Sequence, residues 1–269
     1  MNKLFKDLIS IGLFVWVVAM IPVLTTSGVT LNFVMMALFA CLIAQAWNVL
    51  GGFGGQFSFG HALFFGTGAY FQSIAQISWG WNPWVALPGA MLAAGMVGAW
   101  VGALSFRYGL KGSYFALVTL AFAEVFRIVS LSVPFTGAGV GLMLPLNESW
   151  TNMQFGSRAG FVWLVLGLVT LALCVTAYLR NSRFGAYLQA VRDNEDAARA
   201  VGVNPFHVKT WATVLSGALM GSAGAFYVQV FQYIDPSIGF GSHTSVEALV
   251  GAIVGLSLIH ISEPTRQAE

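Results

Sequence analysis

Three stretches of the 269-residue chain carry side chains able to do chemistry. The first is Gly51-Gly52-Phe53-Gly54-Gly55-Gln56-Phe57-Ser58-Phe59-Gly60-His61. Its glycines would break a membrane helix, and irregular backbone at membrane depth is tolerated only when buried in protein or lining a cavity. A broken helix also offers free N–H groups to a substrate carboxylate. Gln56, Ser58 and His61 would add donors and acceptors beside a transport path. The competing reading is an ordinary loop with close helix packing. The second stretch holds Glu124 and Arg127, one helical turn apart in an apolar run, with Thr119 nearer its middle. Ionisable groups in a span are costly and face protein or water. They are expected either to neutralise each other as a structural ion pair or, through Glu124 and Thr119, to line the path.

The third stretch, 180–209, is the charged one. Phe184, Tyr187, Leu188 and Val191 recur at helical spacing and give one apolar stripe. Helix is expected to continue through Asn194, Glu195, Ala197 and Ala198 and to stop at Gly202, ahead of Pro205. Glu195 and Arg199 make a well-oriented i, i+4 pair. The small face of Ala197, Ala198 and Val201 suits insertion into a groove of a second protein, while an amphipathic helix resting on lipid headgroups is the alternative.

No catalytic or metal set accompanies these stretches. The four histidines, at 61, 207, 243 and 260, lack ligand spacing, and neither H-E-x-x-H nor G-x-S-x-G occurs. Gly109-Leu110-Lys111-Gly112-Ser113 has neither the length nor the glycine placement of a phosphate-binding loop. If ATP drives any work, another chain must bind it. Cys41 and Cys174 sit in apolar runs and read as small core residues. The net charge of +2 is too small to point to nucleic acid.

The elements that must position these residues follow from composition. Only 8% of residues are charged, against about 25% in soluble domains. Apolar residues make up 57%, and the mean hydropathy is +0.77. A soluble globule, a disordered chain and a collagen-like repeat are all excluded. What remains is an all-α polytopic membrane protein. Apolar runs of the roughly 20 residues a crossing needs cover 8–25, 29–50, 61–78, 83–105, 113–132, 160–179, 210–232 and 244–261. About eight transmembrane helices are therefore expected, one broken near 51–60. The first run is too long for a signal-peptide core and reads as a retained span.

Charge placement orients the spans. With a cytoplasmic N-terminus, the inner segments 1–7, 51–60, 106–112 and 180–209 hold nine of the 12 basic residues: Lys3, Lys6, Arg107, Lys111, Arg180, Arg183, Arg192, Arg199 and Lys209. That is the positive-inside distribution. A faint echo relates the stretch from His61 to Phe71 to the one from Gly217 to Tyr227. It reads either as a parallel repeat or as small residues packing helices closely.

Several motifs resemble those of one family. Gly55-Gln56-Phe57-Ser58-Phe59-Gly60-His61-Ala62, with Gly66-Thr67-Gly68-Ala69-Tyr70, is similar to the first signature of branched-chain amino-acid ABC transporter permeases. The run from Gly112 to Arg127 resembles the second, and Thr136-Gly137-Ala138-Gly139-Val140-Gly141-Leu142 the outer-loop motif. Glu195, Ala197, Ala198 and Gly202 match the loop that docks on the ATPase subunit. The pattern resembles the LivM-type of the two permease subunits.

The resemblance implies a bacterial inner-membrane importer with a second, related permease, two ATP-binding subunits and a periplasmic substrate-binding protein. The chain itself would bind no cofactor, and ATP would sit on the partner subunits. Arg192, Asp193, Glu195, Ala197, Ala198 and Gly202 would form the ATPase-coupling loop. Urea and short-chain amide permeases share these motifs, and an ion-coupled secondary transporter is the rival from another class. Residues 1–255 are expected to form the permease domain. Residues 256–269 depart from the family pattern and resemble translated adapter sequence, so no function is expected of His260, Glu263 or Arg266.

Overall fold

The computed structural model describes residues 3–262; the terminal part of the 256–269 segment, from 263, lies outside it. Eight long helices carry the bundle: α1 (Lys3–Leu24), α2 (Gly28–Asn48), α3 (His61–Ile77), α4 (Pro83–Arg107), α5 (Gly112–Ser132), α6 (Arg158–Asn181), α9 (Pro205–Phe231) and α11 (Ser242–Ser262). Between α6 and α9 lie the short α7 (Arg183–Asp193) and α8 (Glu195–Ala200), and before α11 the short α10 (Pro236–Phe240). A single π-helical turn, Val49–Phe53, continues α2.

Among the described residues, six of these segments are long and apolar enough to cross a membrane: α1, α2 with its π turn, α4, α5, α6 and α9. That is fewer than the eight runs read from sequence. The shortfall at α3 has a geometric cause. It has 17 residues and starts beside Ser216, well inside α9, because the chain turns at Gly54–Gly60 before the helix begins. The break expected near 51–60 is thus a π turn followed by seven residues of irregular backbone.

Turn chemistry sets the helix starts. Asn82 accepts a hydrogen bond from the Trp84 N–H and Asn204 from the Phe206 N–H, each just before a proline at the first helical position. The core is the trio α3, α4 and α9, joined through small residues. A Cβ on Gly68 would overlap the Gly221 backbone, and one on Gly224 the Phe65 carbonyl. Backbones this close are what small residues permit where apolar side chains gain little by leaving lipid. The two echoing stretches therefore lie side by side on α3 and α9 as a packing face.

Contacts sort the connections to two ends of the bundle. At one end Asp7 pairs with Arg180, Arg192 meets the π turn, and Lys111 and Lys209 converge on α8. At the other, β1 (Leu142–Met143) pairs antiparallel with β2 (Tyr233–Ile234), and the Trp84 indole N–H donates to the Trp150 carbonyl.

Candidate functional site

The loop between α6 and α9 is built from its turns upward. Ser182 caps α7 by accepting from the Gly185 N–H at 3.1 Å. Leu188 and Val191 then bury against the bundle, while Tyr187, expected on the same stripe, is exposed. Helix does not run on through 194 as the sequence reading has it. Asn194 is extended and starts a new helix, its side-chain oxygen accepting from the N–H groups of Asp196 and Ala197. An N-cap resets the helical phase, and so changes which residues face outward.

Ala198 is consequently buried against its own chain at 3% exposure rather than offered to a partner. The free surface of α8 is Asp196, Ala197, Arg199 and Ala200, followed by Val201. The stop is where the sequence puts it. Gly202 has φ +89°, its N–H donates to the Arg199 carbonyl, and the Val203 N–H donates to that of Ala198. This is a Schellman ending, which needs a left-handed residue.

Glu195 is the anchor of the loop. Its carboxylate takes Lys209 Nζ at 2.7 Å, Lys111 Nζ at 3.0 Å and the Arg199 guanidinium at 2.8 Å. Lys209 is buried near the start of α9, its ammonium 5.6 Å from the centre of the Phe106 ring. Burial opposes ionisation of Glu195, but hydrogen bonds from Lys209 and Lys111 outweigh it and hold the carboxyl below its ordinary range. Sequence shows only the Arg199 partner. Lys111 and Lys209 look there like markers of membrane orientation.

Arg192 ties the loop to the glycine-rich stretch. Its guanidinium donates to the Gly52 carbonyl at 3.0 Å and also pairs with Asp193 at 3.0 Å. Its stem lies across Gly55, where φ is +63° and a Cβ would overlap it. Two stretches that sequence analysis treats separately are therefore in contact.

Within the glycine-rich stretch Phe57 is exposed, but the polar side chains are buried. Ser58 and His61 are 1% and 0% exposed, Gln56 7% and Thr119 2%. The Trp47 indole donates to the Ser58 carbonyl at 3.1 Å, and Ser58 Oγ accepts from the Gly60 N–H. His61 Nε2 and Ser216 Oγ are 2.9 Å apart, and that hydroxyl donates to the Ala46 carbonyl at 2.7 Å. Several of the N–H groups expected to be free for a substrate are used internally. Ala62 N–H donates to Ser245 Oγ and Leu63 N–H to the Gly60 carbonyl. Gly60 passes so close to Thr119 that a Cβ would overlap its carbonyl. In this conformation Gln56, Ser58, His61 and Thr119 are buried together, with Gln56 Oε1 and His61 Nδ1 left without a hydrogen-bond partner.

Glu124 and Arg127 form a two-fold hydrogen-bonded pair, Nε to Oε2 at 2.9 Å and Nη2 to Oε1 at 2.5 Å. Their own chain leaves the pair partly uncovered. The Glu124 side chain is 51% and the Arg127 side chain 29% exposed. The cause is that α5 buries a narrow stripe of Phe115, Ala116, Thr119, Ala123 and Ser130 and turns its other side away from the bundle.

Among the described residues no group of three or more His, Cys, Asp or Glu is placed to hold a metal ion. A multi-pass helical bundle with a capped loop helix tied to its core has the build of a membrane transport permease. The chain belongs to the family described as branched-chain amino acid transport system / permease component, which it matches over residues 29–262.

It is 29% identical to the high-affinity branched-chain amino acid transport system permease protein LivM of Escherichia coli (strain K12), over 91% of this chain and 63% of that protein. To the corresponding LivH protein of the same organism it is 25% identical, over 80% of this chain and 73% of that protein. The L-arabinose ABC transporter permease protein AraH of Azospirillum brasilense is 28% identical over 60% of this chain and 45% of that protein. The chain thus spans about three fifths of the length of the LivM proteins of Escherichia coli and Salmonella typhimurium. No solved structure matches it.

Proposed function

We propose that the chain is an inner-membrane permease subunit of an ABC importer, carrying branched-chain amino acids with energy from ATP hydrolysed on separate subunits. The observation that carries the reading is α8, a six-residue helix with a free face of small and charged residues, fastened from beneath by Glu195. Its partners on this reading are a second, related permease, two ATP-binding subunits and a periplasmic substrate-binding protein. Residues 1–255 make the membrane domain, with eight spans and a cytoplasmic N-terminus. The end of the bundle that gathers Arg180, Arg192, Lys111 and Lys209 then faces the cytoplasm, in keeping with the positive-inside rule.

The mechanism follows from what α8 touches. A docked ATPase would press on Ala197, Ala200 and Val201, beside Arg192 and Asp193. Through Glu195 that movement reaches the α4–α5 turn at Lys111 and the foot of α9 at Lys209. Through Arg192 it reaches Gly52 in the π turn. A π turn followed by irregular backbone is where a long helix can bend at least cost. The buried cluster of Gln56, Ser58, His61 and Thr119 then acts as the joint that repacks between inward and outward states. Glu124, on the free side of α5, faces the substrate path.

The test is ATPase activity of the reconstituted importer with loaded binding protein. Ala197→Glu changes an exposed position and leaves the fold intact. It is expected to lower substrate-stimulated ATPase at least tenfold while the permease still reaches the membrane. Full stimulation would remove this loop from the coupling role.

A further inference from the structure

The ion pair on α5 contrasts with the exposed middles of α1, α4 and α6. On α1, α4 and α6 the exposed mid-helix side chains are apolar: Leu13, Trp16, Leu92, Met96, Trp163 and Leu171. Such faces suit lipid. On α5 the exposed stripe is Leu117, Ala121, Glu124, Val125 and Ile128, with Glu124 the thirteenth of 21 residues. An Arg–Glu pair at that depth is not a lipid-facing feature, because ionised groups in a span face protein or a water-filled cavity.

The geometry of the pair says what it can take. A guanidinium has five N–H donors, and Arg127 spends two on Glu124. The rest have no hydrogen-bond partner among the described residues, and the side chain is partly exposed. Opening such a pair strands two charges unless a ligand replaces both at once. An amino acid does so. Its carboxylate matches the guanidinium fork and its ammonium matches the Glu124 carboxylate, so no step of the exchange leaves a net unpaired charge. An uncharged amide or sugar offers no such exchange.

Resting on the transport reading above, we propose that Glu124 and Arg127 form a zwitterion-exchange site on the face of α5 that meets the second permease across the substrate path. The match to both LivM and LivH relatives supports a pair of related subunits, and related subunits meet most simply through equivalent faces. The pair is neutral when the path is empty and opens only for a solute carrying both charges on adjacent groups.

The test separates a binding role from mutual neutralisation. The double variant Glu124→Gln/Arg127→Gln leaves no stranded charge, and the exchanged variant Glu124→Arg/Arg127→Glu keeps a pair but reverses its order along the helix. Each is co-purified with its partners to check assembly, and uptake of labelled leucine is measured in proteoliposomes. Both are expected to fall at least tenfold below the native chain. Wild-type uptake in either would overturn the proposal, leaving the pair a structural one.

A second measurement avoids altering the pair. In a Cys41→Ala/Cys174→Ala background, Ala121→Cys is exposed to a water-soluble thiol reagent in the assembled importer. Labelling, slowed by loaded binding protein, supports the site. Reaction only with a lipid-soluble maleimide places the face in lipid and overturns it. Failure of the native assembly to take up leucine at all would count against the transport reading instead.

Discussion

Glu195→Gln is the most informative single change. It removes the one carboxylate within reach of Lys209 among the described residues; the Lys209 side chain is only 4% exposed. Removing one member of a buried pair costs about 3–5 kcal/mol, because the remaining charge is left uncompensated. The lower end applies, since Lys209 lies near the foot of α9 and water can approach. Lys111 and Arg199 are more than half exposed and add at most about 1 kcal/mol each. A loss of about 3 kcal/mol shifts the seated fraction of α8 roughly a hundredfold.

Lys209→Met should cost about 1 kcal/mol, as Glu195 keeps its two other cations and the methionine stem still covers Phe106. The double variant Glu195→Gln/Lys209→Met should recover most of the loss, because no buried charge is then stranded. Hydrogen exchange over residues 183–204 of the purified chain reads α8 directly, and thermal unfolding gives the energies. Equal effects of the two single changes, simply adding in the double, would show that stranded charge is not what holds the loop.

Acid should loosen the same seat. The folded Glu195 carboxyl is held below its ordinary range, so its contribution is complete above the unfolded value of 4.5 and fades as pH falls through the lowered folded value. Exchange over 183–204 should therefore be flat from about pH 6 to 8 in this respect, rising only in acid, and the Glu195→Gln chain should lack the rise. At the joint, Gly60→Ala forces a methyl group onto the Thr119 carbonyl, backbone that cannot swing aside. A loss of about 2–3 kcal/mol in unfolding free energy is expected, whereas Gly167→Ala, with open space around it, should be neutral within about 0.5 kcal/mol.

The parts legible in sequence are those fixed by composition along the chain. A membrane helix must hide its own backbone, so apolar length marks its extent. Thus 83–105 is read for a helix at Pro83–Arg107, and 160–179 for one at Arg158–Asn181. Local backbone chemistry is legible too, as Gly202 ends α8 in the left-handed conformation expected of it. The misreading at Ala198 comes from treating Asn194 as mid-helix. Asn followed by Glu195 and Asp196 is itself an N-cap signal with acids in the first turn, and a helix restarted there turns Ala198 inward.

What sequence could not supply are partners distant along the chain. Ser216 lies 155 residues from His61, with no motif around it, yet it fixes the histidine ring and spans to Ala46. Lys209 shows the same limit from the other side. Its position at the foot of a span is explained fully by membrane orientation, so nothing in the sequence asks for a second role. Only the burial of its ammonium, which requires a counter-charge, reveals that the residue orienting α9 is also the one that fastens α8 to it.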